Sequence, residues 1–195
     1  MKIIIATNNQ GKVREFKQML EPLGYEPMSL KDAGIDIEVV EDGETFAENA
    51  HIKAQAVYEI CHCPVLADDS GLEIDFLGGA PGIYSARYAG EDATDKDRCD
   101  KILSELEGVD ISLRTARFAC ALYCIIDDET EYSVLGTFSG FIGTEPMGDN
   151  GFGYDPIFMV DEETSVAMLS DEEKNKISHR AEAMKKLVEV LRANA

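Results

Sequence analysis

The amino-terminal stretch constrains the fold most, because it joins an uninterrupted apolar run to a polar turn and then to a helical pattern. Residues 3–6 (Ile-Ile-Ile-Ala) are apolar throughout, as expected of a buried strand. Polar residues 7–12 follow, and apolar residues then recur at helical spacing over 13–20. Asn8 or Asn9 can cap this helix. The sequence therefore begins as a buried strand, a tight turn and an amphipathic helix.

Local patterns predict the remaining elements as well. Strands are expected where β-branched and aromatic residues concentrate or alternate with polar ones, and helices where a capping sequence precedes helical periodicity. The predicted strands are Ile35–Val40, Pro64–Ala67, Thr115–Ile126 and Tyr132–Ile142, the last two forming a long hairpin; helices are predicted after Thr45, Thr94 and Ser170, with a closing helix through Met184 to Leu191. No repeat or linker divides the chain.

The charge balance limits the possible partners. Eighteen basic residues against 38 acidic ones give a net charge of −20. Such a field repels nucleic acid and anionic membranes, so we expect neither as a partner. A small anionic ligand would need a local cationic site.

Length and cysteine content indicate the class of protein. The 195 residues suit one domain or one two-lobed domain. No apolar run approaches the roughly 18 residues of a membrane span, and the opening residues lack the features of a secretory signal. Five cysteines, an odd number in a chain too large to need disulfides, fit a reducing compartment. We therefore expect free thiols and a cytoplasmic protein.

The polar turn before the first helix is a candidate phosphate site. A helix start presents free backbone N–H groups and the positive end of the helix dipole, and Lys12 adds a mobile charge beside them. The pattern differs from a P-loop, which would have glycine in place of Ala6 and serine or threonine in place of Val13. A capped helix with a solvated lysine is the alternative.

Two aspartates and one lysine form a second candidate group. Asp68 and Asp69 follow a short apolar run, so they are predicted at the carboxyl end of a buried strand, where α/β sheets bind ligands. Adjacent residues of a strand point to opposite sides, which suggests different tasks for the two. Lys53 falls on the apolar face of its predicted helix beside Asn49, so it either reaches the surface or faces an anion. A simple turn is the alternative for the aspartates.

A glycine-rich loop and several cations complete the candidates. The loop includes Phe152, on which a purine could stack, although the loop could equally pack on the core. Lys174, His179 and Arg180 lie at predicted helix beginnings, where positive side chains oppose the dipole and therefore need another justification. The Cys61–Cys63 segment, with a histidine between two cysteines, lacks a second Cys/His pair at zinc spacing, so we predict a helix end there.

Taken together, these motifs closely resemble those of the inosine/xanthosine triphosphate pyrophosphatase family. In chain order they are Ala6-Thr7-Asn8-Asn9-Gln10-Gly11-Lys12, Thr45-Phe46-Ala47-Glu48-Asn49-Ala50, Ala67-Asp68-Asp69-Ser70-Gly71-Leu72, Gly78-Gly79-Ala80-Pro81-Gly82, Phe152-Gly153-Tyr154-Asp155-Pro156 and Ser178-His179-Arg180. The resemblance spans residues 3–180. It implies an α/β fold with an elongated mixed β-sheet flanked by helices, two lobes with a central nucleotide-binding cleft, and a homodimer.

The resemblance also implies an activity and residue roles. The implied reaction is Mg²⁺-dependent cleavage of a non-standard purine nucleoside triphosphate to the monophosphate and pyrophosphate, with Asp69, Asp68 and Lys53 as catalytic residues. Asp69 and Glu41 would hold the metal, with Glu38 and Glu44 near enough to be alternatives. The implied substrate-binding residues are Thr7, Asn8, Asn9, Gln10, Gly11, Lys12, Ser70, Phe152, Gly153, Tyr154, Asp155, Lys174, His179 and Arg180.

Base choice would follow from hydrogen-bond polarity. His179 and Arg180 can donate to a 6-oxo oxygen, whereas adenine presents an amino group there and would leave a buried donor unpaired. Two other functions stay open at this point. One is a Maf-type pyrophosphatase acting on pyrimidine or modified bases, and the other is a nucleotide-binding module without turnover.

Overall fold

The computed structural model describes residues 1–193, which form an α/β fold around one mixed six-stranded sheet in the order β2-β1-β3-β4-β5-β6. The strands are β1 (Lys2–Ile5), β2 (Glu26–Ser29), β3 (Val65–Ile74), β4 (Thr115–Asp127), β5 (Thr130–Ile142) and β6 (Phe158–Met159). The helices are α1 (Gln10–Leu20), α2 (Phe46–Cys61), α3 (Asp95–Glu105), α4 (Asp171–Ile177) and α5 (His179–Ala193). The predicted mixed sheet with flanking helices is confirmed.

The sheet combines parallel and antiparallel pairing. β1 pairs in parallel with β2 and with β3, the latter through the register Ile4↔Val65 and Ile5↔Leu66. β5 pairs antiparallel with β6. The described chain divides into two compact units. Unit 1 comprises Met1–Asp69, Cys120–Gly136 and the chain from Arg180 on, and unit 2 comprises Ser70–Ala119 and Thr137–His179.

The core of unit 1 explains the apolar run at the amino terminus. Ile3 and Ile5 pack in one cluster with Phe16 of α1 and Leu187 of α5, whereas Ile4 belongs to a second cluster with residues of α2. Because successive side chains of a strand point to opposite faces, β1 is buried on both sides. The continuous apolar sequence is therefore what this central strand requires.

The core of unit 2 is built mainly from aromatic and branched side chains. Phe118 of β4 stacks on Phe158 of β6 with ring centroids 4.4 Å apart. Ile102 in the last turn of α3 and Leu106 directly after the helix are fully buried in the same cluster. This packing fixes α3 within unit 2.

Capping sequences located most helix starts correctly. Thr45, Thr94 and Ser170 each form a capping box at the start of α2, α3 and α4. Asn9 caps α1 by accepting the backbone N–H of Lys12 at 3.1 Å. The predicted hairpin is confirmed as β4 and β5.

Two strand predictions were wrong. Residues 35–40 form no strand; Ile35 lies outside regular secondary structure and packs against a core cluster within unit 1, and Val40 is exposed. A strand instead forms earlier, at Glu26–Ser29, and pairs with β1. Its glutamate and proline are uncommon in strands, so the sequence pattern did not indicate it. The strand predicted to end at Ala67 continues to Ile74, so Asp68 and Asp69 lie within β3, just beyond its last residue paired with β1.

Two further expectations concern cysteines and membrane spans. All five cysteines have free thiols, as predicted. Cys61 ends α2, and His62 adopts a left-handed cap conformation, which confirms the helix end. Over residues 1–193, no helix combines the length and apolar character needed to cross a membrane. The last two residues of the predicted 1–195 domain lie outside the described residues.

Candidate active site

The turn between β1 and α1 is held by hydrogen bonds from its own side chains. Thr7 accepts the backbone N–H of Asn9 through its hydroxyl at 3.2 Å, and the Gln10 side chain donates to the carbonyl of Asn8 at 3.3 Å. The first N–H groups of a helix have no acceptor within the helix, and they carry its positive end. The phosphate site predicted from the sequence lies at this end of α1.

Asp68 of β3 contacts two cations, Lys12 at the start of α1 and Arg180 of α5. Lys12 Nζ lies 2.9 Å from Asp68 Oδ2, and Arg180 donates to the same oxygen at 3.3 Å. Burial alone would raise the pKa of Asp68, but the charges of Lys12, Arg180 and Lys53 hold it well below its usual range. Asp68 is therefore a carboxylate that orients cations.

Asp69 lies among different partners. Asn49 donates to Asp69 Oδ2 at 3.2 Å, and Lys53 Nζ lies 3.7 Å from Oδ1. Burial raises the pKa of Asp69, and the carboxylates of Glu41 and Asp68 raise it further against the opposing charge of Lys53. The two adjacent aspartates thus face different groups, as the alternation along a strand predicted. A carboxyl whose pKa is raised is suited to accept a proton.

Lys53 faces carboxylates and not open solvent. Its ammonium contacts Glu41 Oε2 at 2.9 Å and approaches Asp69. Burial would lower the pKa of Lys53, but Asp68, Asp69 and Glu41 together raise it above the usual value. Lys53 therefore stays positively charged at neutral pH. The alternative prediction, that the Lys53 side chain extends to the solvent-exposed surface, was therefore wrong.

Asn49 is a positioning residue that the sequence analysis noted only as polar. While its amide donates to Asp69, its oxygen accepts the backbone N–H of Gly43 at 2.9 Å. A Cβ at Gly43 would lie 2.8 Å from that oxygen, so glycine allows this close approach. Asn49 thus ties the segment after Glu41 to the catalytic candidate. Its place four residues before Lys53 was the available signal.

Arg180 lies in unit 1 with the phosphate-side residues. The residue is 1% exposed, and its guanidinium pairs with Glu15 and Asp68. The resemblance places Arg180 at the base, and that role stays a prediction; in the structure its charge serves Asp68. Glu15, which is 3% exposed, was missed. An acid three residues after Lys12 and beside Phe16 on an amphipathic helix was the signal.

Unit 2 gathers most of the predicted base contacts. Lys174 Nζ lies 2.6 Å from Asp155 Oδ2 and 4.5 Å from the centroid of the Phe152 ring. The Phe152 backbone N–H also donates to Asp155 at 3.0 Å. The His179 ring stacks on Phe118 at 4.9 Å. A pocket of unit 2 is lined by residues that include Phe118, Phe138, Asp155, Lys174, Ser178 and His179.

Two other predicted contacts differ in exposure. Tyr154 is buried in the core of unit 2, and its hydroxyl donates to the carbonyl of Ser85 at 2.7 Å. The structure therefore gives this side chain a packing role, and only its backbone is left for a ligand. Ser70 is half-buried in β3, directly after Asp69.

The carboxylates assigned to a metal can be compared with what a divalent ion needs. Within residues 1–193, no three His, Cys, Asp or Glu side chains form a metal-binding group. Asp69 and Glu41 nevertheless both face Lys53, and among the three candidate glutamates this contact belongs to Glu41. Mg²⁺ commonly takes one or two carboxylates and completes its shell with water and phosphate oxygens. The two residues fit that pattern.

Comparison with known proteins finds relatives over nearly the full length of the chain. The model of the Ham1 family matches residues 3–190. A dITP/XTP pyrophosphatase from Bacillus licheniformis is 55% identical over 97% of each chain, and one from Bacillus subtilis is 54% identical over 97% of this chain and 96% of its own. The Ham1 protein structure from Staphylococcus aureus superposes with a TM-score of 0.87 at 41% identity over the full length of both chains. By sequence and by fold, this chain belongs to the Ham1 family.

Proposed function

We propose that this protein hydrolyses non-standard purine nucleoside triphosphates (ITP, dITP and XTP) to the nucleoside monophosphate and pyrophosphate, and so removes aberrant purines from the nucleotide pool. One observation supports it most: Lys12, Lys53, Asp68 and Asp69 form one buried charge network beside the amino-terminal end of α1. The names of the relatives, dITP/XTP pyrophosphatase, point to the same substrates.

The charge network answers the problem posed by the substrate. A triphosphate is strongly anionic, and the protein itself carries a net charge of −20. Lys12 and Lys53, together with the metal ion proposed below, would offset this repulsion locally and stabilise the negative charge that develops on the leaving pyrophosphate. The free N–H groups at the start of α1 add donors aimed at phosphate oxygens.

Asp69 is the proposed proton acceptor. Its raised pKa brings the carboxyl closer to the range in which a general base works at neutral pH. Asn49 holds one carboxylate oxygen, which leaves the other toward Lys53. In this position Asp69 orients a water for attack on phosphorus and takes its proton.

We propose Mg²⁺ as the cofactor, held by Asp69 and Glu41. When bound, the ion neutralises phosphate charge and lowers the pKa of a coordinated water. The chain's own part is to supply the two carboxylates and to keep Lys53 charged between them. Asp68 stays with Lys12 and Arg180.

The base would be recognised by unit 2. A purine stacked on Phe152 would bring its 6-oxo oxygen toward hydrogen-bond donors, for which Lys174 and His179 are the candidates from the pocket. Adenine carries a 6-amino donor at that position and would leave a buried donor unpaired. ATP is therefore expected to be a poor substrate.

The decisive experiment measures pyrophosphate release with Mg²⁺ from ITP, dITP, XTP, GTP, ATP and UTP. The proposal predicts fast release from the first three and slow release from ATP and UTP. Preference for UTP would favour the Maf-type alternative. Release from none would favour a binding module without turnover and would refute the enzyme.

The resemblance supports three further proposals. We propose that residues 1–195 form a single two-lobed domain, that the protein is a homodimer, and that it acts in the cytoplasm. One cooperative calorimetric transition is expected of a single domain, and light scattering is expected to give twice the 21.4 kDa chain mass. Two resolved transitions, or a monomer mass, would contradict the first two.

A further inference from the structure

Helix α3 presents two side chains to the glycine-rich loop of unit 2. Asp95 Oδ2 accepts the backbone N–H of Gly153 at 2.7 Å, and the Cys99 thiol donates to the Gly153 carbonyl at 3.5 Å. Residues four apart lie on one face of a helix. One turn of α3 thus holds both polar groups of the same loop residue.

The loop held in this way carries the proposed base platform. Phe152 directly precedes Gly153, and the Phe152 N–H donates to Asp155, which also pairs with Lys174. Gly153 has a φ of +65°, a left-handed conformation that favours glycine. The peptide that follows the Phe152 ring is therefore fixed from outside the loop by Asp95.

Asp95 is in the first turn of α3 but does not cap the helix. The cap of α3 is formed by Thr94 and Asp97, each of which bonds to the backbone of the other. Asp95 instead contacts Arg98 through Oδ1, which balances its charge, and turns Oδ2 to the loop. Its side chain is half-exposed, so packing does not explain its presence.

We propose that Asp95 is a positioning residue for base discrimination, an inference that rests on the proposed function. By holding the Gly153 N–H, Asp95 keeps the Phe152 ring against the Lys174 ammonium, so that a stacked purine meets the cationic donors in one orientation. Without this bond the loop can shift, and a 6-oxo purine loses part of its advantage over adenine.

The test compares kcat and KM for dITP and dATP in Asp95→Ala, Asp95→Asn and the control Asp100→Ala. Asp100 is an acid of the same helix that pairs with Lys96 and does not contact the loop. Loss of a hydrogen bond to a charged acceptor predicts that Asp95→Ala lowers kcat/KM for dITP about 10- to 100-fold, mainly through KM. The preference for dITP over dATP should fall with it.

The other variants separate this role from a structural one. Asp95→Asn retains an oxygen acceptor for Gly153 and should fall between the wild type and Asp95→Ala. Asp100→Ala should keep the wild-type preference. An unchanged dITP/dATP preference in Asp95→Ala, or a larger loss in Asp95→Asn than in Asp95→Ala, would overturn the inference. A wild-type protein that releases no pyrophosphate would refute the proposed function and this inference with it.

Discussion

Replacing Glu15 by glutamine should destabilise the protein strongly, although Glu15 is outside the proposed chemistry. Glu15 and Arg180 are almost completely buried and paired with each other. The buried guanidinium of Arg180 contacts two carboxylates, Glu15 and Asp68, and it shares Asp68 with Lys12. The substitution removes the charge of Glu15 and leaves Arg180 with the shared carboxylate of Asp68. Breaking a buried pair on one side costs about 3–5 kcal/mol, and because glutamine still accepts a hydrogen bond we expect about 3 kcal/mol.

This loss can be measured by urea unfolding of the wild type and Glu15→Gln, followed by circular dichroism. For a chain of this size, about 3 kcal/mol corresponds to a melting temperature lower by roughly 6–12 °C. Glu26→Gln is the matched control, because Glu26 faces Lys2 at 4.0 Å on the exposed surface and should change stability by less than about 1 kcal/mol. A Glu15→Gln protein within about 1 kcal/mol of the wild type would show that the charge of Glu15 is not needed to stabilise buried Arg180.

Four further predictions concern the site. Asp69→Asn should lower kcat for dITP at least about 100-fold, and a variant retaining a tenth of the activity would contradict this. The free energy of unfolding should stay equal or rise at neutral pH. The reason is that the folded state raises the pKa of Asp69, so the wild-type protein loses stability as the pH rises from the unfolded to the folded pKa of this group. Because Asp69 must be ionised to accept a proton, kcat/KM should fall as the pH is lowered, and a rate profile that is flat throughout the acid range would contradict its role as the base. Lys53→Met should lower kcat/KM at least about tenfold without loss of folding, since Lys53 offsets phosphate charge; steady-state kinetics and circular dichroism test this, and unchanged kinetics would contradict it. Gly151→Ala would place a Cβ 2.0 Å from Asp155 Oδ2 at a φ of +77°, so thermal unfolding should show a loss of about 1–3 kcal/mol, whereas wild-type stability would show that the loop adapts.

Local signals in the sequence were enough for much of the fold. The start of α2 follows from its capping box, and the long hairpin follows from its composition and turn. These features depend on residues within a few positions of one another. The position of Lys53 on the apolar face of α2 was predicted for the same reason, since helical spacing fixes it. That this face meets Asp69 is a finding of the structure.

Features set by pairing over long sequence distances were not predictable in this way. Glu26–Ser29 is a strand because it pairs with β1 in a specific register, and no local pattern encodes that pairing. Likewise, the partner of Glu15 is Arg180, 165 residues away. Arg180 was therefore assigned to the base by motif alone, whereas tertiary packing places its charge beside Asp68.

Product identification with dITP and Mg²⁺, for the wild type and for Asp69→Asn, tests most directly where the reaction occurs. The wild type should form equal amounts of dIMP and pyrophosphate, and the variant almost none. Formation of dIDP and phosphate would place the cleavage at the other anhydride. Undiminished turnover by Asp69→Asn would show that the charge network around Lys53 and Asp69 is not where the reaction occurs.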